Sequence, residues 1–242
     1  MKKQMIKEAI ILAGGLGTRI RSVVADQPKC MAPVNGKPFL FYLINFLQQS
    51  GIKKFIFSVG YMHEAIEAYL QKEYFNLDYG LSLESEPLGT GGAIRLACKQ
   101  TSHENVVVCN GDTLYKIDLQ QLTDFHIKNK ADCSLTLKPM KNFDRYGVVD
   151  VNNDGAILSF KEKRFYSSGL INGGVYALHV ENFLSQELPE KFSFEKDYLE
   201  KNVNKSGDES AKLFALVQDA YFIDIGIPED YERARIELKI EN

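Results

Sequence analysis

A short apolar run that opens into a glycine-rich loop is the feature that most constrains the fold of this chain. Residues 8–12 read Glu-Ala-Ile-Ile-Leu, and Ala13-Gly14-Gly15-Leu16-Gly17-Thr18-Arg19 follows directly. Glycine tolerates positive φ and lets another group approach the backbone closely. Backbone amides in such a turn, at the start of a helix, form a concavity that suits phosphate oxygens. The stretch therefore predicts a first strand followed by a loop that binds the triphosphate of a nucleotide.

Short apolar strands alternate with helical patterns through the first half of the chain. Strands are predicted at 54–59, 81–83 and 106–109, and helices at 39–49, 64–74 and 93–99. Such alternation is typical of a parallel sheet covered by helices on both faces. Ligands of these sheets bind at the carboxyl ends of the strands. The loops expected to share that edge are 13–19, 84–92 and 110–113.

The second half has more strands and fewer helices. Asn152-Asn153-Asp154-Gly155 between the apolar runs 146–151 and 156–161 predicts a hairpin. The other predicted elements are strands at 134–138, 171–177, 213–217 and 221–225, a helix at 194–201 and a last helix from Pro228. No linker or repeat interrupts the chain, so we expect one domain over residues 1–242. Within it, about 1–115 would bind the nucleotide and about 116–242 the co-substrate.

Composition excludes several classes of protein. A net charge of −3 gives no reason to expect a nucleic-acid partner. The four cysteines form no C-x-x-C pair, which argues against a structural zinc site and a disulfide framework. No apolar segment reaches the roughly 20 residues of a membrane span, and none resembles a signal peptide. We therefore expect no membrane association and a cytoplasmic location.

Two common phosphate-binding fingerprints do not match the glycine loop. The dinucleotide motif G-x-G-x-x-G needs a third glycine at position 20, where this chain has Ile20. A P-loop has the pattern G-x-x-x-x-G-K-[ST], in which four residues separate a first glycine from Gly-Lys and a Ser or Thr. The chain has no such run. The loop must therefore belong to another class of nucleotide site.

The loop resembles the signature of the sugar-1-phosphate nucleotidyltransferases. The resemblance continues in the family's order through Pro28-Lys29, residues 86–93 (Glu-Pro-Leu-Gly-Thr-Gly-Gly-Ala), Asn110-Gly111-Asp112, Glu162-Lys163, Asn172-Gly173-Gly174 and Asp224-Ile225-Gly226. It covers nearly the whole chain; one departure is Cys30, where members often carry proline or alanine. The resemblance implies a Rossmann-like three-layer α/β/α sandwich with a mixed, mainly parallel sheet.

The family reaction is attack of a sugar 1-phosphate on the α-phosphorus of a nucleoside triphosphate, which releases pyrophosphate. By resemblance, Arg19 would hold the β- and γ-phosphates and Lys29 would neutralise the α-phosphate. Asp112 and Asp224 would bind Mg²⁺, an ion that prefers a few carboxylates with phosphate oxygens and water. Alternatively, each aspartate only caps a turn and the two cations are solvated surface residues.

The resemblance also assigns residues to the two substrates. Those for the nucleotide are Leu12, Ala13, Gly14, Gly15, Gly17, Thr18, Glu84, Gly89, Thr90 and Gly111. Those for the sugar phosphate are Gly147, Glu162, Lys163, Asn172 and Gly173. The alternative for Glu162 and Lys163 is a solvated charge run, because mixed charges surround them.

Glu84 falls where the family commonly contacts the base. A carboxylate accepts two hydrogen bonds, which matches N1–H and N2–H₂ of guanine; GTP is therefore favoured, with Glu86 as a competing base contact. Among subfamilies, Phe194-Glu195-Lys196-Asp197 and the loop 87–92 look most like the D-glycero-α-D-manno-heptose 1-phosphate guanylyltransferases of bacterial surface polysaccharide synthesis. Alternatives are a mannose-1-phosphate guanylyltransferase, or a uridylyl- or thymidylyltransferase.

A non-catalytic regulatory subunit that binds a nucleotide sugar is the alternative from another class. Degenerate members lose the cations or the metal carboxylates, whereas Arg19, Lys29, Asp112 and Asp224 are all present here. This favours a working enzyme. The aromatic residues Phe39, Phe41 and Tyr42 fit either a buried helix face, which is favoured, or the surface of a homo-oligomer.

Overall fold

The computed structural model describes residues 4–15, 27–60, 62–203 and 211–240. The strands are β1 (Glu8–Leu12), β2 (Pro33–Val34), β3 (Lys37–Pro38), β4 (Lys54–Val59), β5 (Asp78–Leu83), β6 (Asn105–Asn110), β7 (Thr113–Tyr115), β8 (Cys133–Phe143), β9 (Val149–Val151), β10 (Ile157–Phe160), β11 (Tyr166–His179), β12 (Leu213–Val217) and β13 (Phe222–Asp224). The α-helices are α1 (Phe39–Gln49), α2 (His63–Glu73), α3 (Gly89–Cys98), α4 (Leu119–Lys128), α5 (Val180–Leu184), α6 (Lys201–Val203) and α7 (Pro228–Glu237). A 3₁₀ helix covers Lys29–Met31 and a π-helix covers Phe194–Glu200.

A seven-stranded sheet forms the centre, in the order β12-β8-β11-β6-β1-β4-β5. β11 is antiparallel to both of its neighbours, and the other four pairings are parallel. Each face of the sheet has its own apolar layer. Ile11 packs with α1, α2, α4 and α7 on one face, whereas Ile10 packs with α3, α5 and the π-helix on the other. The predicted three-layer sandwich with a mixed, mainly parallel sheet is confirmed.

Helix α1 shows why the sequence pattern located its elements well. Pro38 precedes the first helical residue, and Gly51 with φ of 96° stands just past the end, as expected for a helix that stops there. Phe39 and Tyr42 are buried in the core, as the favoured interpretation of these aromatic residues expects. The bounds of α1 and of β4 agree with those predicted.

Helix α3 begins at Gly89 and not at residue 93 as predicted. The prediction placed the start too late because the first turn contains glycines, which are typical of loops. A Cβ on Gly92 would lie 2.5 Å from the carbonyl oxygen of Glu190, and one on Gly89 would lie 2.6 Å from that of Phe192. The absent side chains let the segment before the π-helix cross the helix start at backbone distance. Residues 89–92 are therefore helical packing positions as well as candidate ligand contacts.

The remaining differences concern the lengths of elements, the type of one helix, and elements that the sequence did not predict, among them α4, α5 and β7. The hairpin at 152–155 is confirmed, and Asn152 Oδ1 accepts hydrogen bonds from the amides of Asp154 and Ala156 at 3.0 and 2.9 Å. The predicted helix at 194–201 is a π-helix followed by α6. Over the ranges that the structure describes, no helix has the length and apolar character to cross a membrane.

Candidate active site

A cavity of about 360 Å³ opens at the carboxyl ends of β1, β4 and β6. Its lining includes ten of the predicted site residues, namely Leu12, Ala13, Gly14, Gly15, Lys29, Glu84, Gly89, Thr90, Gly111 and Asp112. We call it the first cavity. The predicted residues Gly17, Thr18 and Arg19 lie outside the described residues. The position of the cavity is the one expected for a ligand site in a sheet of this kind.

Backbone contacts fix the loops around the first cavity. The amide of Ala13 donates to the carbonyl of Ser58 at 2.8 Å, and the amide of Gly111 donates to the carbonyl of Leu12 at 2.9 Å. A Cβ on Gly111 would lie only 2.6 Å from that same oxygen of Leu12. Glycine is therefore required for the ends of β1 and β6 to meet beside Asp112.

Glu84 places its carboxylate at the side of the first cavity. Its Oε2 accepts a hydrogen bond from the amide of Leu88 at 3.0 Å, which closes the loop between β5 and α3. Its Oε1 faces Gly14, where a Cβ would lie 3.2 Å away. Pro87 and Ser58 also line this cavity, and Ser58 was not anticipated from the sequence. One carboxylate therefore supports the loop and lines the cavity at once.

Lys29 lies between the two aspartates that were predicted to bind metal. Its Nζ forms an ion pair with Asp112 Oδ2 and is 3.7 Å from Asp224 Oδ1. Only 10% of the lysine side chain is exposed, which removes it from a merely solvated surface role. The neighbouring Cys30 thiol is buried, and its pKa is raised to about 12 by burial and by the charge of Asp112. This cysteine is a packed neutral residue.

The carboxylates of Asp112 and Asp224 fit a divalent cation. Both reach the same ammonium group, so a single positive centre between them is already accommodated. A Cβ on Gly226 would lie 2.8 Å from Asp224 Oδ1 and 3.2 Å from Lys29 Nζ, so the glycine keeps this space open. In the described part of the chain, no group of three or more His, Cys, Asp or Glu side chains could hold a metal. An ion here would take its remaining ligands from phosphate oxygens and water, as Mg²⁺ commonly does.

The carboxylate of Asp224 is held by groups that do not line the first cavity. Its Oδ1 accepts from the amide of Gly226 at 2.8 Å, and its Oδ2 accepts from the hydroxyl of Tyr146 at 3.1 Å. The guanidinium of Arg145 is 3.7 Å from the same Oδ2. Burial, and then the charge of Asp224, raise the pKa of Tyr146 well above its ordinary value. Tyr146 therefore remains protonated and donates its hydrogen bond at any physiological pH.

A second cavity, of about 420 Å³, has Tyr146 in its wall. It is lined by Tyr146, Gly147, Val148, Val149, Phe160, Lys161, Glu162, Lys163, Asn172, Glu195, Lys196 and Glu200. Four of the five residues predicted for the sugar phosphate are in this lining. The fifth, Gly173, packs on the ring of Tyr115, where a Cβ would lie 2.4 Å from the ring carbons. Gly173 therefore allows close packing beneath this site.

Asn172 connects the wall of the second cavity to the π-helix. Its Nδ2 donates to Glu195 Oε1 at 3.0 Å and to the hydroxyl of Tyr176 at 2.8 Å, while its Oδ1 accepts from the amide of Gly174 at 3.0 Å. Burial raises the pKa of Glu200, and the charges of Glu162 and Glu195 raise it further. Three carboxylates and three lysines therefore surround one cavity, a lining suited to a phosphorylated polyol.

Ion pairs and a hydrogen bond through Lys29, Asp224 and Tyr146 connect the walls of the two cavities, and this arrangement on this fold is that of a nucleotidyltransferase. The nucleotidyl transferase family profile matches residues 8–240, so the chain belongs to that family. A D-glycero-alpha-D-manno-heptose 1-phosphate guanylyltransferase of Aneurinibacillus thermoaerophilus is 51% identical, over 96% of this chain and 98% of that protein. A protein of the same description from Campylobacter jejuni subsp. jejuni serotype O:2 is 46% identical, over 93% of this chain and 96% of that protein. The crystal structure of HddC from Yersinia pseudotuberculosis complexed with GMP-PN superposes with a TM-score of 0.85 at 36% identity, and the match covers 97% of this chain and 100% of that chain.

Proposed function

We propose that this enzyme transfers GMP from GTP to D-glycero-α-D-manno-heptose 1-phosphate, giving GDP-heptose and pyrophosphate. The observation that carries the proposal is the nearly full-length likeness to two proteins described as guanylyltransferases for this sugar phosphate. The two cavities, joined through Asp112, Lys29, Asp224 and Tyr146, support it by offering one place for each substrate.

The chemistry follows from the charges of the substrates. An oxygen of the sugar phosphate attacks the α-phosphorus, and because that oxygen is already an anion no general base is required. The enzyme must bring two polyanions together and stabilise the charge that builds at phosphorus. Lys29 would leave Asp112 and pair with the α-phosphate, and Arg19 would hold the departing pyrophosphate. Mg²⁺ bound by Asp112 and Asp224 would neutralise phosphate charge as a Lewis acid.

The two cavities favour a division of labour along the chain. The lining of the first cavity comes from residues 12–112 and that of the second from residues 146–200. We therefore keep the proposal of one domain over residues 1–242, with about 1–115 binding the nucleotide and about 116–242 binding the sugar phosphate. Asp224, which belongs to the second half of the chain, contacts Lys29 of the first half.

We propose Glu84 as the guanine contact and the cytoplasm as the place of action. The Glu84 carboxylate accepts hydrogen bonds only, which suits the adjacent donors of guanine. All four cysteines are free thiols. Free thiols are typical of proteins in reducing compartments, where nucleotide triphosphates are also made available.

A substrate screen tests the proposal. The purified protein is incubated with Mg²⁺, each of GTP, ATP, UTP, CTP and dTTP, and the 1-phosphates of D-glycero-D-manno-heptose, mannose and glucose, while pyrophosphate and the mass of the product are measured. We expect GTP with the heptose phosphate to give the highest kcat/KM. Preference for mannose 1-phosphate, or for UTP or dTTP, would overturn the assignment of sugar or base. Binding without turnover would indicate a regulatory subunit.

A further inference from the structure

We propose that Tyr146, held by Arg145, positions the Asp224 carboxylate to bind a cation. Through this contact, binding of a ligand in the second cavity would strengthen cation binding at Asp224. The inference rests on the proposed function, because it takes the second cavity as the sugar-phosphate site. Tyr146 is thus a positioning residue, since it acts through Asp224.

The direction of the hydrogen bond at Tyr146 is fixed by its neighbours. Arg145 Nη2 donates to the Tyr146 hydroxyl oxygen at 3.2 Å, and a guanidinium has no acceptor to offer in return. The hydroxyl proton is therefore available for Asp224 Oδ2, which is 3.1 Å away. The tyrosine thus has one defined role, which is to donate to this carboxylate.

Arg145 is itself held from the last helix. Its Nη1 forms an ion pair with Asp230 of α7, and Asp230 also accepts from Arg233 Nη1 at 2.8 Å. The guanidinium carbon of Arg145 lies 5.3 Å from the centre of the Tyr146 ring, within reach of a cation–π contact. Helix α7 therefore supports the tyrosine, although it contributes nothing to the lining of either cavity.

These contacts orient the two oxygens of Asp224 differently. Oδ2 is satisfied by Tyr146 and faces Arg145, whereas Oδ1 faces the amide of Gly226 and Lys29 Nζ. A carboxylate that can rotate loses affinity for a metal, and outer hydrogen-bond partners prevent that rotation. Tyr146 therefore keeps Oδ1 on the side of Lys29, where the cation is proposed to bind.

The same tyrosine is a wall of the second cavity, beside Gly147 and Glu162. Its ring packs edge-on against Phe222, whose ring centre is 6.1 Å away and which begins the strand that ends at Asp224. A ligand in the second cavity would thus contact the ring of Tyr146, whose hydroxyl donates a hydrogen bond to the Asp224 carboxylate. Binding of the sugar phosphate and of the cation should therefore strengthen each other, and by linkage the effect is reciprocal.

The test is a direct measurement of Mn²⁺ binding to the full-length protein by electron paramagnetic resonance of free Mn²⁺. It is made with a non-hydrolysable GTP analogue, with and without the sugar 1-phosphate that the wild-type enzyme turns over best. In the wild type, the sugar phosphate should tighten Mn²⁺ binding several-fold. In Tyr146→Phe, the affinity for Mn²⁺ should fall by about tenfold and the sugar effect should vanish. Turnover should show a lower kcat with little change in the KM for GTP.

Tyr221→Phe is the matched control, because it removes a tyrosine hydroxyl that also donates to a carboxylate, Glu237 Oε2 at 2.8 Å, away from both cavities. It should bind Mn²⁺ as the wild type does. If Tyr146→Phe does not fold, Arg145→Gln leaves the tyrosine in place and should lower Mn²⁺ affinity in the same direction. Wild-type affinity and a retained sugar effect in a folded Tyr146→Phe or Arg145→Gln protein would overturn the inference. Turnover of a different sugar would overturn only the proposed substrate, since the titration then uses that sugar.

Discussion

The backbone amide of Phe194 donates a hydrogen bond to Thr90 Oγ1 at 2.9 Å. Thr90 lines the first cavity, and Phe194 begins the π-helix whose Glu195 lines the second. The amide of Gly91 strengthens this connection by donating to the carbonyl of Phe192 at 2.9 Å. A residue predicted only for the nucleotide therefore also supports the site proposed for the sugar phosphate.

Replacement of Thr90 should affect the substrate that it does not touch. Thr90→Val keeps the shape but leaves the amide of Phe194 unpaired, which costs about 1–3 kcal/mol where the group is buried. We expect the KM for the sugar phosphate to rise several-fold more than the KM for GTP. Thr90→Ser retains the acceptor and should behave as the wild type. Steady-state kinetics with each substrate varied in turn checks this, and equal changes in both KM values would contradict it.

Glu84 should determine the choice of base. In Glu84→Gln, the amide oxygen can keep the bond to the Leu88 amide, but the NH₂ group then faces the donors of guanine. We expect kcat/KM for GTP to fall by roughly 10- to 100-fold and the preference for GTP over ITP, which lacks the 2-amino group, to disappear. Glu86→Gln is the matched control at an exposed neighbour. If Glu86→Gln loses the preference instead, the base contact has been assigned to the wrong residue.

Two glycines of the first cavity should separate folding from binding. A Cβ on Gly111 meets the carbonyl oxygen of Leu12 at 2.6 Å, whereas one on Gly15 meets no atom of the described residues within 4 Å. Gly111→Ala should therefore lower the free energy of unfolding by about 1–3 kcal/mol. Gly15→Ala should leave that free energy unchanged but raise the KM for GTP by roughly tenfold, because a Cβ blocks close approach of phosphate. Denaturant unfolding and kinetics on both variants check the pair; a normal KM in Gly15→Ala would remove this glycine from the site.

Asp112 should be indispensable for turnover and dispensable for the fold. Asp112→Asn keeps the shape of the side chain but removes a charge that pairs with Lys29 and is proposed to hold the cation. We expect kcat to fall by a factor on the order of 10²–10³ while the far-UV spectrum stays the same. Asp154→Asn, in the exposed hairpin turn, is the control and should retain full activity. Full activity in Asp112→Asn would show that the metal assignment is wrong.

The sequence predicted the first cavity better than the second. The spacing of apolar residues, with proline or glycine at the ends of elements, locates α1 and β4. Glu84 and Asp112 follow two strands of the parallel part of the sheet, so they lie at the same edge. The contact between Tyr146 and Asp224 joins residues 78 positions apart, and no local pattern encodes it. The π-helix is equally hidden, because its residues fit an α-helix by propensity, whereas in the fold they form a π-helix that packs against α3.

His126 gives the fold a pH dependence that is independent of the site. It is fully buried on α4, with Nδ1 at 2.9 Å from Ser134 Oγ and Nε2 at 3.0 Å from Asn105 Oδ1. Burial lowers the pKa of the imidazole to about 4, and the nearby His179 adds to the effect. Between about pH 6.5, the ordinary pKa of histidine, and pH 4, the His126 imidazole therefore binds a proton in the unfolded chain but not in the native protein.

The contribution of His126 to the free energy of unfolding should accordingly be complete above pH 6.5 and fall by roughly 3 kcal/mol as the pH drops to 4. Urea unfolding at a series of pH values measures this. His126→Gln should be less stable than the wild type at pH 7.5, and the difference should shrink as the pH falls, because the variant lacks the group that titrates. His63→Gln, at a partly exposed position on α2, is the matched control for the substitution itself. Parallel curves for the wild type and His126→Gln would show that this histidine does not control the acid limb.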